Sequence, residues 1–277
     1  MCQAHHTAGR RLLTKDLPPE AERAVREFFG DYTDAIDPIR QDLVDAIEAG
    51  DVDPSSISSI RTEVRRIAGN YTDDVQVVMQ AGTERGLEVG RQIAARRHQL
   101  DIAFDLVPER TLEEFSDWAE TATSETLDTL TEDTARYIRA AHEEGLSIDE
   151  LTERVNDELF DGRLQDWQAR RTARTATVSS SNAGSHTAHE DADGVVAEEW
   201  VASLDGRQRD SHADADGQIV AVGNTFLVGG AEARHPGDPS LPLEELVNCR
   251  CVAVPVFRDE LTDDEFAQLE SGGRLNV

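Results

Sequence analysis

Two cysteines stand one residue apart in "VNCRCVAVPVF", at Cys249 and Cys251, and that spacing is the chain's clearest chemical feature. On a strand, residues two apart share a face, so both thiols point one way and Arg250 points the other. A disulfide across so short a span is strained. Two readings remain. Both side chains can be small buried hydrophobes, or both thiolates can hold a zinc ion together with a histidine such as His212 or His235. A second pair, His186 and His189, lies three apart on an expected helix. With His212 it could hold a hydrolytic metal. The chain has neither His-Glu-x-x-His nor a phosphate-cradling glycine loop, and "SHTAHED" otherwise reads as an exposed polar helix end.

The loops around these groups have their own chemistry. Asp205 with Arg207 or Arg209 can cross-link "DGRQRDSH" by charge-assisted bonds. His212 can hydrogen-bond Asp205 or Asp216. Gly217 after Asp216 suits a tight turn before the next strand. Pro236, Gly237 and Pro239 shape a rigid loop whose Asp238 can accept backbone N–H bonds. Asn248 can hold that loop at the start of the cysteine strand. Such a set fixes a compact loop-rich module and activates no nucleophile.

Short strands are expected to carry these loops: "VVAEEWVASL", "IVAV", "TFLV" and "CRCVAVPVF". Upstream, the chain reads as helix. Val25, Phe28, Tyr32, Ile36, Ile39, Leu43 and Ile47 step by three or four, with Pro38 expected to kink or split that helix. Ser147 and Glu150 form a capping box for a helix reaching about Phe160, and "DG" at 161–162 ends it. Gly82, Gly86 and Gly90 share one face of another helix at about 1 kcal/mol each relative to alanine. Close backbone approach explains them, either within the chain or as a contact face for a partner. The fold class is therefore α+β, a mostly helical N-terminal region followed by a small module of short antiparallel strands. The expected division is 1–110, a helical docking region; 111–165, a helical connector; 166–257, the α+β module; and 258–277, a peripheral acidic tail.

Composition narrows the function. Asp and Glu number 56 against 27 Lys and Arg, for a net charge of -29, and Lys15 is the only lysine. That balance fits a protein adapted to molar salt, where self-repulsion is screened. It argues against non-specific DNA binding as the main activity. Arg91, Arg96, Arg97 and His98 form one basic cluster, and Arg170, Arg171 and Arg174 another. Each reads as a solvated helix face or a contact face for an acidic partner or packaged DNA. No apolar run approaches the roughly 20 residues of a membrane span, and the N-terminus has no signal-peptide pattern. The expectation is a soluble protein made in the cytoplasm.

The stretch from Arg170 to Phe257 resembles the phage Mu F-like head morphogenesis domain of tailed viruses, the minor head protein family. "ARTAT" with Arg174, "SNAG", the Trp200 strand, Asp205-x-Arg207-x-Arg209-x-x-His212, Asp216-Gly217-Gln218, Pro236-Gly237-Asp238-Pro239 and Asn248-Cys249-Arg250-Cys251 occur in the family's order. Ala176 replaces a usual glutamate. Arg209 and His212 stand where some relatives have Cys-x-x-Cys. The resemblance implies a virion protein of the capsid interior or portal vertex, with the portal or major capsid protein as partner and a transient contact with packaged DNA. With the acidic composition, it implies a virus or provirus of a halophilic archaeon. The expectation is no enzyme activity, no membrane, no small-molecule substrate and no cofactor; His212, Cys249 and Cys251 are the candidate ligands of a structural zinc, but the missing fourth ligand and the charge of Arg209 point instead to Cys249 and Cys251 as buried thiols. The alternative is a metal-dependent hydrolase or an ADP-ribosyltransferase-like effector; with about 20 residues after Phe257, no added C-terminal toxin domain is expected.

Overall fold

The structure, a computed structural model, describes residues 17–103, 106–156, 163–203, 206 and 208–276. Cys2, Lys15, the expected break at 161–162 and the motif residues Asp205 and Arg207 lie outside the described residues. The architecture is α+β. Among the described residues, six helices come first: α1 (Pro19–Ala49), α2 (Ile57–Gly69), α3 (Thr72–His98), α4 (Glu109–Glu143), α5 (Ile148–Arg154) and α6 (Arg163–Asp191). Then follow β1 (Val195–Val201), α7 (Asp210–Asp214), β2 (Gln218–Ala221), β3 (Phe226–Val228), β4 (Ala231–Ala233), α8 (Leu243–Leu246) and β5 (Val252–Phe257). A 3-10 turn (Arg258–Glu260), α9 (Asp263–Glu270) and β6 (Leu275–Asn276) end the chain.

The chain forms two compact units, and their borders fall inside helices rather than at 110, 165 or 257. One comprises Arg26–Gly82 and Ser116–Ala173. Its α1 portion buries Phe28, Tyr32, Ile36, Ile39, Leu43 and Ile47, the stripe expected from the sequence. The helix runs through Pro38 without a break. Proline removes one backbone hydrogen bond, and the buried side chains on either side of it hold the helix together. Ile60, Val64 and Ile67 of α2 and Leu127, Leu130 and Ile138 of α4 add to the core. Arg61 pairs with Glu132, and Arg40 donates to Asn156. The Ser147–Glu150 capping box starts α5. Gly82 leaves room for the Phe28 ring, which a Cβ would meet at 2.6 Å.

The other unit comprises the described part of Met1–Val25, Thr83–Phe115 and Arg174–Val277. Here α3 and α6 approach backbone to backbone. A Cβ on Gly90 would stand 1.9 Å from the Ser181 carbonyl oxygen, and one on Gly184 would stand 2.0 Å from that of Leu87. Gly86 faces Ser180. The three-glycine face, expected to mark close approach either within the chain or to a partner, is covered by the chain's own residues. The cause is the small "SSSNAGS" run of α6, which lets the helices close. Arg91, expected on a solvated or partner-facing surface, is only 1% exposed. It pairs with Asp191 and donates to Thr187 and to the Ala103 carbonyl.

The sheet is antiparallel in the order β5-β1-β2-β6. Central β1 buries both faces. Ala197 packs with Ile219, Val256 and Leu269 of α9, while Glu198 and Trp200 alternate to the opposite face. The segment expected as a peripheral tail, 258–277, is integrated over its described part, 258–276: β6 pairs with β2, and Leu269 is buried. Edge backbone groups of β2 need partners, and β6 supplies them. A separate hairpin joins β3 and β4.

Candidate functional site

The two cysteines do not lie on a strand. Strand β5 begins at Val252, where it pairs with Val201, and both cysteines precede it. Their backbone is held elsewhere. Arg209 donates to the Val247 carbonyl at 2.6 Å. The Asn248 N–H donates to Thr175 Oγ1 at 3.1 Å, with Asn248 at φ +58°. Asn182 donates to the Cys251 carbonyl at 2.9 Å. This bent, tethered segment turns both sulfurs toward His212 on α7.

Cys249, Cys251 and His212 are all buried, and both cysteines are free thiols. Their donor atoms lie within 4.8 Å of one another. His212 Nδ1 is 3.2 Å from the Cys251 sulfur and 3.8 Å from that of Cys249. Zinc bonds of about 2.3 Å to sulfur and 2.0 Å to nitrogen at tetrahedral angles place such donors about 3.5 Å apart, so the set fits zinc with one open position. On the far side of the ring, Nε2 lies 3.1 Å from Glu245 Oε2, though not in line for a hydrogen bond. Glu245 accepts from Ser211 Oγ at 2.8 Å. Trp200 stands edge-on to His212, with centroids 5.8 Å apart.

Electrostatics favour a thiolate here. The Cys251 thiol hydrogen-bonds Cys249 and, with His212, brings it down to about 5 against burial. Cys251 is pushed up by that same bond and by burial. Burial opposes the charge on His212, but Cys249 outweighs it and raises the histidine.

The other motif residues hold loops. Asp216 accepts from the Ala202 N–H at 2.9 Å, while the ring nitrogens of His212 face Cys251, Cys249 and Glu245. Gly217 takes φ +77° and donates to the Trp200 carbonyl. The Gly237 carbonyl accepts from Ser179, next to Pro236. Asp238 is fully buried and accepts from the backbone of Arg234 and Ser240 and from the Arg234 guanidinium, which holds it far below the carboxylate range against burial.

His186 and His189 join neither His212 nor solvent. Both Nδ1 atoms lie 2.6 Å from the carboxylate of Glu198, one on each oxygen. Glu198 has no exposed surface. Burial works against its charge, but the two histidines draw it down to about 2. An ionised carboxylate only accepts, so each histidine donates Nδ1–H to it. His186 is raised, Glu198 overcoming the cost of burial. His235, considered as a zinc ligand, packs 5.8 Å from the His186 ring, and burial lowers it to about 4. Sequence reasoning missed Glu198 and Glu245. The "EE" of "VAEEWV" and of "PLEEL" reads as solvated charge, and only the burial of β1 and the position of α8 reveal otherwise.

Among known proteins, 198 residues of the chain are 24% identical to the uncharacterized protein YqbB of Bacillus subtilis, covering 69% of this chain and 63% of that one. An uncharacterized protein of Haemophilus influenzae is 36% identical over 96 residues, covering 35% of this chain and 19% of that one. NAD(+)--arginine ADP-ribosyltransferase EFV of Enterococcus faecalis is 29% identical over 116 residues, covering 41% of this chain and 23% of that protein. The chain spans less than two thirds of each of these relatives. No solved structure matches it. Residues 133–254, which hold the buried Glu198 with its two histidines and the His212, Cys249 and Cys251 cluster, match the family of Phage Mu protein F like proteins.

Proposed function

We propose that this chain is a minor head protein of a tailed virus, bound to the portal or the capsid interior and acting in head morphogenesis, DNA packaging or delivery. The observation that carries this reading is the match of residues 133–254 to the phage Mu F-like family. The structural roles of its motif residues support it: they close loops and lock α6 onto the cysteine segment. Among the described residues, no helix is long and apolar enough to cross a membrane. Mass spectrometry of purified virions should find the chain at a copy number far below that of the major capsid protein. Its absence from virions overturns the reading. An ADP-ribosyltransferase-like or hydrolase role is the alternative, and transfer of label from NAD to arginine would favour it. The activity named for the Enterococcus protein belongs to a chain of which 23% is matched.

The acid excess supports a host rich in salt. The melting temperature is expected to rise steadily with added potassium chloride and to fall sharply on dialysis into dilute buffer. A melting temperature independent of salt removes the halophilic assignment.

Within this role, His212, Cys249 and Cys251 are proposed to hold a structural zinc. Protein purified without chelator is expected to contain about one zinc per chain, lost in the Cys249→Ser, Cys251→Ser double variant. Zinc-free protein, or zinc retained by that variant, returns the pair to buried thiols.

A further inference from the structure

The outer edge of β5 has one residue whose backbone is left open. The carbonyls of Val196 and Trp200 accept from Val222 and Gly217, on the β2 side. Even-numbered residues of β1 therefore turn their backbone groups to β2, and Ala197, Glu199 and Val201 turn theirs to β5. The residues opposite are Val256, Val254 and Val252. Ala253 and Pro255, which alternate with them, turn their backbone groups away from β1. The rest of this outer edge is closed. Asn182 donates to the Cys251 carbonyl, and the Phe257 N–H goes to Glu260 at 2.8 Å. Pro255 has no N–H to offer. Among the described residues, nothing bonds the N–H or the C=O of Ala253.

A cavity of about 310 Å³ is the second observation. Val252, Ala253 and Val254 line it, and no residue of β1 does. Consecutive strand residues send their side chains to opposite faces, so a cavity touching three in a row lies along the strand's edge. Its whole lining belongs to the compact unit that holds the sheet. Ile93 and Val178 give it an apolar wall. Arg97, Arg250 and Glu22 also line it, but each has a partner already and calls for no ligand. What lacks a partner is a main-chain donor and acceptor on one strand residue. Another extended chain offers the matching pair.

We infer that this edge receives an extended apolar segment of a partner protein, which bonds the N–H and C=O of Ala253 through its own main chain. The closed positions on either side of Ala253 and the volume of the cavity restrict the contact to a few residues. Arg174, an exposed part of the lining, favours a segment with an acidic flank. It disfavours the chain's own start, where Arg10, Arg11 and Lys15 would meet it with like charge. The inference does not rest on the virion role.

Amide hydrogen exchange and NMR of the full chain test this, with acetyl-Asp-Val-Ala-Val-amide as the probe. In the free protein the Ala253 amide is expected to exchange at least about 100-fold faster than those of Val254 and Val256, which face β1. The peptide should saturate at about one per chain, shift the Ala253 resonance and slow its exchange at least about tenfold. The same peptide N-methylated at every residue should not bind, and lysine in place of its aspartate should weaken it. Ala253→Pro removes an N–H that bonds nothing in the free chain, so it should leave the melting temperature unchanged and abolish peptide binding. An Ala253 amide as protected as that of Val254 in the free protein would mean that the chain itself covers the edge, and overturns the inference. So does the absence of saturable binding, equal binding of the N-methylated or the lysine peptide, or wild-type affinity in Ala253→Pro.

Discussion

Gly90→Ala is expected to destabilise the protein by at least about 3 kcal/mol, at or beyond the usual range for overpacking. The new Cβ would stand 1.9 Å from the Ser181 carbonyl oxygen and 2.7 Å from its carbon. Both are backbone atoms of a helix, so no rotamer change relieves the contact and α3 and α6 must separate. Gly184→Ala meets the Leu87 carbonyl at 2.0 Å in the same crossing and should cost as much. Gly86→Ala meets the Ser180 hydroxyl, a side chain that can turn away, and should cost less. Gly30→Ala in α1 meets nothing within 4 Å and should stabilise by up to about 1 kcal/mol. Urea unfolding of the four variants gives the comparison. A Gly90→Ala protein as stable as the wild type would mean the two helices do not cross this closely.

Removing Glu198 should have an effect of similar size. Glu198→Ala leaves two buried histidine N–H groups without an acceptor, and breaking a buried pair in this way costs about 3–5 kcal/mol. Glu198→Gln keeps the volume, but its amide cannot accept from both rings, so it should fall between. The pH dependence has a defined sign. Glu198 is held near 2 against an ordinary 4.5, so its contribution is present above 4.5 and lost as pH falls toward 2. His186 is raised from 6.5, so its contribution is present below 6.5 and lost as pH rises through its folded value. The stability difference between wild type and Glu198→Gln should therefore peak between about 4.5 and 6.5. His235, lowered to about 4, has the opposite signature: its contribution is present above 6.5 and lost toward 4. The His186 charge is among the causes that lower it, so His235 is coupled to the Glu198–His186 pair and adds a smaller change of its own to the difference below 6.5. A difference that does not vary with pH would show that Glu198 and His186 are not an ion pair.

Local periodicity determined what depends on near neighbours. The stripe from Phe28 to Ile47 and the box of Ser147 with Glu150 both arise from residues within a few positions of one another. The ordered motifs around Trp200, Asp216, Pro236 and Asn248 marked the module that matches the phage Mu F-like family. Pro38 does not split its helix, because tertiary packing on either side of it outweighs the lost backbone bond. The tertiary structure alone decided which surfaces meet. Three glycines on one helix face state that something comes close; only the fold shows that it is Phe28, Ser180 and Ser181 of the same chain. The acidic tail becomes an element of the sheet because β2 has an edge to satisfy. Cys249 and Cys251 converge through tethers to Thr175, Asn182 and Arg209 rather than through strand periodicity. Glu198 becomes a buried anion because β1 is covered on both faces, and the side that carries Glu198 is met by two histidines of α6. Each of these outcomes joins residues far apart in the chain, and a pattern of local spacing does not encode which distant partner arrives.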